Sequence, residues 1–212
     1  MKILAVQSRM GIGDTVIFLP FIKALSKKFN SPISILVKEN SKANQYLHQT
    51  KYIDKILTLE RDNKTNNRHG GFFGIFKLAN DLKKYKFDKI FIFNSSLRFN
   101  LVAKISGIPQ IYQYPLFAKN KQHIIEAPKK FLKENLDLDI NEDPEVQIDN
   151  DSISKAAQKF QIDKNTTNIL LGIGGSGPTK RIPAKTFLSV IDKISNMTVS
   201  YTHLTLPTIQ PV

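Results

Sequence analysis

Met10-Gly-Ile-Gly-Asp14 stands between an apolar run, Ile3-Leu-Ala-Val6, and a segment of helical spacing, Thr15-Val-Ile-Phe-Leu-Pro-Phe-Ile-Lys-Ala-Leu25. The order is strand, glycine turn, helix, with one carboxylate at the helix start. A glycine pair lets the backbone come close to a ligand. A helix N-terminus offers unpaired N–H groups and the positive end of a dipole. Asp14 is therefore expected at the carboxyl end of the first strand, where open α/β sheets place their ligands. Its competing role is that of helix N-cap, for which Asp is favoured by about 1 kcal/mol.

The alternation continues outward from this unit. Short runs rich in Ile, Val or Phe predict strands at 2–7, 33–37, 55–59, 89–93 and 110–114, and helical patterns predict helices at 15–28, 42–48, 73–84 and 97–106. Such an order argues βαβ units in a doubly wound parallel sheet. Pro20 falls inside the first helix and predicts a kink there. Residues 131–151 change character: Leu136-Asp-Leu-Asp-Ile-Asn-Glu-Asp-Pro-Glu145 is acidic and reads as a surface connector. A short helix is expected at 152–160. Asn168-Ile-Leu-Leu-Gly-Ile173 then reads as a new strand, Gly174-Gly-Ser-Gly-Pro-Thr-Lys-Arg-Ile-Pro183 as a second glycine loop, and 184–194 as a helix. This repeats the opening layout, so a second domain of the same type is expected to begin near Thr166.

Composition narrows the classes. The 212 residues suffice for one large domain or one and a half small ones. There is no cysteine, which excludes disulfides, thiolate metal sites and a cysteine nucleophile. No apolar run reaches the roughly 18 residues of a membrane span, and the N-terminus reads as a strand and not a signal peptide, so a cytoplasmic protein is expected. The net charge of +13 favours anionic partners, with a coding bias toward Lys, Asn and Ile as the competing explanation. His48, His69, His123 and His203 show no metal-ligand spacing and read as surface or loop residues. Ser8, Ser95 and Ser96 lack a nucleophile-elbow context. A nucleic-acid-binding module needs aromatics interleaved with basic residues on an exposed face, whereas Phe91 and Phe93 fall at core-like positions.

The last thirteen residues, Ser200-Tyr-Thr-His-Leu-Thr-Leu-Pro-Thr-Ile-Gln-Pro-Val212, abandon Lys, Asn, Asp and Glu. They read as a non-native tail. A single βα unit cannot bury its own faces, since domains usually need about 50 residues or more. The expected division is 1–150, 151–165 as connecting segment, 166–199 as the start of a second domain, and 200–212 as the tail.

Four segments together resemble the ADP-heptose:lipopolysaccharide heptosyltransferase family (glycosyltransferase family 9). They are Met10-Gly-Ile-Gly-Asp-Thr-Val-Ile-Phe-Leu-Pro20; Tyr52-Ile-Asp-Lys-Ile56; Phe87-Asp-Lys-Ile-Phe-Ile-Phe-Asn-Ser-Ser-Leu-Arg98 with Ser106-Gly-Ile-Pro109; and Gly174-Gly-Ser-Gly-Pro-Thr-Lys-Arg-Ile-Pro183. The resemblance implies an α/β chain of GT-B type: a complete N-terminal, acceptor-side Rossmann-like domain plus the first βα unit of a second, nucleotide-sugar-binding one. It implies an inverting, metal-independent transfer without cofactor, in which heptose or a related sugar moves from a nucleotide-diphosphate donor, ADP-heptose by family, to a lipopolysaccharide core acceptor. Asp14 would be the catalytic base. Gly174, Gly175, Ser176, Thr179 and Lys180 would hold the donor diphosphate. Gly11, Gly13, Arg61, Arg68, Ser96 and Arg98 would face the acceptor, a lipid-linked molecule at the inner membrane surface, with peripheral attachment there and no nucleic acid as partner.

The chain departs from the family pattern at three places. Gly172-Ile-Gly174 stands where the family often has His-Pro-Gly, Ile182 replaces the usual Trp, and the family's late Asp-[Ser/Thr]-Gly-x-x-His loop does not occur. The expectation is therefore a C-terminally truncated, inactive chain of this family. A non-catalytic fragment and, at lower rank, a basic nucleic-acid-binding Rossmann-like module are the alternatives.

Overall fold

The computed structural model describes residues 1–9, 11–61, 67–116, 123–163, 165–166, 168–172 and 181–197, with the side chains of 195–197 excepted. In chain order the elements are β1 (Ile3–Gln7), α1 (Ile12–Ile17), α2 (Leu19–Phe29), β2 (Ile33–Lys38), a 3₁₀ turn (Glu39–Ser41), α3 (Ala43–Tyr46), β3 (Ile53–Leu59), α4 (Phe73–Lys83), β4 (Lys89–Ile92), α5 (Leu97–Ile105), β5 (Gln110–Gln113), α6 (Glu126–Leu136), α7 (Asn150–Lys159) and α8 (Ala184–Met197). They divide into two compact units, Met1–Ala156 and Ala157–Val212.

The first unit is a parallel sheet in the order β3-β2-β1-β4-β5. Successive side chains of a strand point to opposite faces, and both faces here are apolar. Ile3, Ala5, Ile33, Ile35, Val37, Phe91 and Phe93 join one core with α2 and α6. Leu4, Val6, Leu36, Ile90 and Ile92 join the other with α4 and α5. A one-residue slip would exchange the two sets. The strand order reverses direction between β1 and β4, and at such a switch point the loops diverge and leave a crevice at the carboxyl ends.

The helix expected at 15–28 is two helices that meet at Phe18. Pro20 explains the break: it lacks an N–H, and its ring would crowd the carbonyl of Val16 in a continuous helix. The chain instead restarts, with Pro20 in the first turn of α2, where a missing N–H costs nothing.

Two segments differ from expectation. Residues 126–136 form α6, a helix the sequence reading did not contain, and it buries Pro128, Phe131 and Leu132. Phe131 packs edge-on against Phe93 and Tyr114, with ring centroids 5.3 and 5.0 Å away. Residues 137–149 lack regular structure but are more than a surface connector. Ile140 is buried in the first core, with Leu138 and Val146 partly buried against it. Glu142 reaches Lys23 at 3.0 Å and also contacts Lys27. Exposed ion pairs contribute only about 0–1 kcal/mol, so the apolar anchor holds this strap and the charges orient it.

In the second unit, α8 matches the expected helix. The strand expected at 168–173 does not appear: residues 168–172 have no regular structure, and residue 173 lies outside the described residues. A strand exists only by pairing with another, and no described residue pairs with this segment. None of the described side chains between 181 and 194 is buried.

Candidate functional site at the carboxyl ends of the strands

The glycine turn after β1 is built from both sides. Gln7 is buried, and its side-chain amide donates to the Asp14 carbonyl at 3.1 Å while its oxygen accepts the Arg9 N–H. The Thr15 hydroxyl donates to the Gly11 carbonyl at 3.1 Å. Gly11 has φ 110° and ψ 156°, a conformation that favours glycine, and occupies the N-cap position of α1. Asp14 is thus not the cap. It is the third residue of the helix, half-buried, with a carboxylate oxygen 3.5 Å from where a Cβ on Gly11 would sit. There it lies near the positive end of the helix dipole. Gly13 is exposed, and a Cβ added to it would meet no atom within 4 Å.

At the carboxyl ends of β1, β4 and β5 lies a cavity of about 300 Å³ that is lined by residues on either side of this turn, Arg9 and Phe18, but not by Gly11, Gly13 or Asp14. Its polar lining comes from Gln7 at the end of β1, Ser8 and Arg9 after it, Asn94 and Ser95 after β4, Tyr114 after β5, and His123. Asn94 organises the floor: its amide donates to the Ser8 hydroxyl at 2.7 Å, and its oxygen accepts the Ser96 N–H at 2.6 Å. Gln113 donates to the carbonyls of Asn94 and Ser96, both at 2.9 Å, and accepts from Asn100 at 2.9 Å. Burial raises the Tyr114 hydroxyl well above its ordinary range, opposed by the positive charge of Arg9. Hydroxyls, an amide, an imidazole and a guanidinium around one crevice suit a polyhydroxylated or anionic ligand. Sequence reading passed over Arg9, Asn94, Tyr114 and His123 as site residues. The available signal is position, because Arg9, Asn94 and Tyr114 all fall in the turns that leave the carboxyl ends of β1, β4 and β5.

The remaining expected residues fall into two groups. Ser96 is the N-cap of α5, its hydroxyl accepting the Arg98 N–H at 3.3 Å. Arg98 donates to the Gly71 carbonyl at 2.7 Å and to the His69 carbonyl. Arg68 forms a two-pronged pair with Asp81, at 2.6 and 2.9 Å. His69, read from sequence as a surface or loop residue, is buried; its Nδ1 accepts the Glu60 N–H at 3.1 Å and its Nε2 sits 3.1 Å from Asp81. Arg68 and Arg98 therefore shape the β3–α4 loop, with Gly74 seated so closely that a Cβ would lie 2.3 Å from the His69 carbonyl oxygen. Arg61 is half-buried just beyond β3. The structure brings Ser96 next to the cavity through Asn94, while Arg68 faces Asp81. Gly174, Gly175, Ser176, Thr179 and Lys180, like the tail 200–212, lie outside the described residues.

Asp81 yields a prediction. Burial alone would raise its carboxyl, but hydrogen bonds from Arg68, His69 and Lys84 outweigh burial and lower it. A carboxylate held below its unfolded value adds stability that is complete above the ordinary carboxylate range and is lost as pH falls through the lowered value. Asp81→Ala is expected to cost about 1–3 kcal/mol near neutral pH, because a buried His69 nitrogen loses its partner. Denaturant unfolding should show that difference shrinking steadily toward acid pH.

A doubly wound parallel sheet with a glycine turn and a cavity at its switch point defines a Rossmann-like α/β domain. No family profile and no curated protein matches the sequence. In fold, the chain is similar to a glycosyl transferase family 9 protein from Veillonella parvula DSM 2008, at TM-score 0.72 and 19% identity, over 92% of this chain and 60% of that one. It is also similar to the E. coli ADP-heptose lps heptosyltransferase II, at TM-score 0.65 and 17% identity, over 93% and 62% respectively. The chain spans about 60% of the length of both, and the likeness is one of fold. Among the described residues no helix is long and apolar enough to cross a membrane.

Proposed function

We propose that this chain is the acceptor-side part of an inverting glycosyltransferase that moves a heptose or related sugar from a nucleotide-diphosphate donor, ADP-heptose by resemblance, to a lipopolysaccharide-type acceptor. The observation that carries the reading is the polar cavity at the β1–β4 switch point, lined by residues on either side of the Gly11–Asp14 turn. In this reading the acceptor hydroxyl attacks the anomeric carbon, the bond from that carbon to the diphosphate breaks, and Asp14 takes the hydroxyl proton. The exposed backbone at Gly13 lets the sugar approach. Arg61 faces the acidic acceptor, while Ser96, Arg68 and Arg98 position the loops around it. Gly174, Gly175, Ser176, Thr179 and Lys180 receive the departing diphosphate, where N–H groups and an ammonium stabilise developing charge. The acceptor sits at the cytoplasmic side of the inner membrane.

The experiment is a transfer assay on the full-length protein that contains these residues, with ADP-heptose and a phosphorylated lipid-borne saccharide, and the product's anomeric configuration read by NMR. Retention of configuration, or no transfer, overturns the proposal. Gly13→Ala sharpens it. The added methyl meets nothing in the fold, so helix propensity should raise stability by about 0.5–1 kcal/mol. Crowding of the ligand should lower kcat/KM about tenfold or more. Unchanged kinetics would mean that no substrate approaches this turn.

A further inference from the structure

We infer that the first turn of α4 is a docking surface for an anionic membrane. Phe72, Phe73 and Phe76 expose 69%, 76% and 49% of their surface. They contact one another, with ring centroids 6.0 Å apart for Phe72 and Phe73 and 5.7 Å for Phe72 and Phe76. Core packing accounts for the opposite face of the same helix, where Ile75, Leu78, Ala79 and Leu82 are buried against the sheet. The solvent face is thus aromatic at its start and basic further along, with Lys77, Lys83 and Lys84 exposed.

The charge points to the occupant. From Arg68 to Lys86 the chain carries Arg68, Lys77, Lys83, Lys84 and Lys86 against only Asp81. Asp81 is already engaged by Arg68, His69 and Lys84. Aromatic rings with Lys77 one turn along the same helix face and Lys83 and Lys84 about three turns along suit a lipid interface, where the rings enter the acyl boundary and the lysine stems lie along it with their heads at the phosphates. A few rings alone bind a bilayer weakly, and basic residues supply the second signal.

Topology places the patch on the same edge as the cavity. The chain leaves the carboxyl end of β3 to begin α4, and Arg98, on the first turn of α5, holds the carbonyls of His69 and Gly71 just before the aromatic cluster. The inference deepens the proposed function, on which it rests for its purpose: a lipid-borne acceptor would be met edge-on.

Vesicle flotation of the full chain, without donor or acceptor, tests it, so that a failure of transfer chemistry leaves the result untouched. The chain should float with vesicles of phosphatidylcholine and phosphatidylglycerol, and far less with phosphatidylcholine alone or in high salt. Phe72→Ser with Phe73→Ser, both exposed, should preserve the melting curve and weaken binding about a hundredfold, at roughly tenfold per ring. Lys77→Gln with Lys83→Gln should weaken binding to the anionic vesicles roughly tenfold or more. No flotation of the unaltered chain, or flotation unchanged by the serine variant, overturns the inference. Loss of a dimer in the serine variant with vesicle binding intact would assign the patch to a second copy and overturn it equally.

Discussion

Asp14→Asn is expected to lower transfer turnover by about 100-fold or more in the full-length protein, the usual scale for loss of a general base. The structure makes this a clean substitution. Asp14 is the third residue of α1, the N-cap is Gly11, and no side-chain cap bond exists to be lost. The neutral amide forfeits only the favourable interaction of a carboxylate with the helix dipole, about 0.3–1 kcal/mol. The Gln7 bond goes to the Asp14 backbone carbonyl and survives the change. Turnover and urea unfolding measured on the same preparation separate the two effects. Near-normal turnover would remove Asp14 from the reaction and leave it a dipole-stabilising residue.

Phe91→Ala carries the largest expected effect on stability, about 3–5 kcal/mol. Phe91 is fully buried at the centre of β4. It stacks on Tyr112 at 4.6 Å, with Phe29 at 5.8 Å and Phe131 at 6.5 Å, so truncation empties a space bounded by β5, α2 and α6 at once. A domain whose total stability is about 5–15 kcal/mol would lose a large share of it. Phe73→Ala is the control, since the same residue type on the solvent face should change stability by no more than about 0.5 kcal/mol. A Phe91→Ala protein that melts with the parent would mean that the first core is not organised around this ring.

Where apolar spacing is local and strong, sequence and structure agree. The runs at 3–6, 33–37 and 89–93 read as strands buried on both sides, and each divides its side chains between two cores. Pro20 marked the helix break because the clash it creates involves only its own preceding turn. The acidic run at 136–145 misled for the complementary reason. Its charged residues do face outward, but Ile140 is buried in the first core with Leu138 and Val146 packed beside it, and the acidic composition conceals that contact because its partners lie on distant elements. α6 escaped because Phe131 finds its partners on β4 and just after β5 and not within its own helix.

The site divides along the same line. The Gly11–Asp14 turn was legible because glycine, carboxylate and helix start are adjacent in sequence. The sequence by itself thus determined the strand–turn–helix units, their two-sided burial and the position of Asp14 at a strand's carboxyl end. Only the tertiary structure decided that β1 lies between β2 and β4, and hence that Ser8 meets Asn94 across 86 residues. It likewise turned Arg68 and Arg98 onto Asp81 and backbone carbonyls. Local periodicity records which face of a segment avoids water; which distant segment covers that face is chosen by packing, whose partners are far apart along the chain.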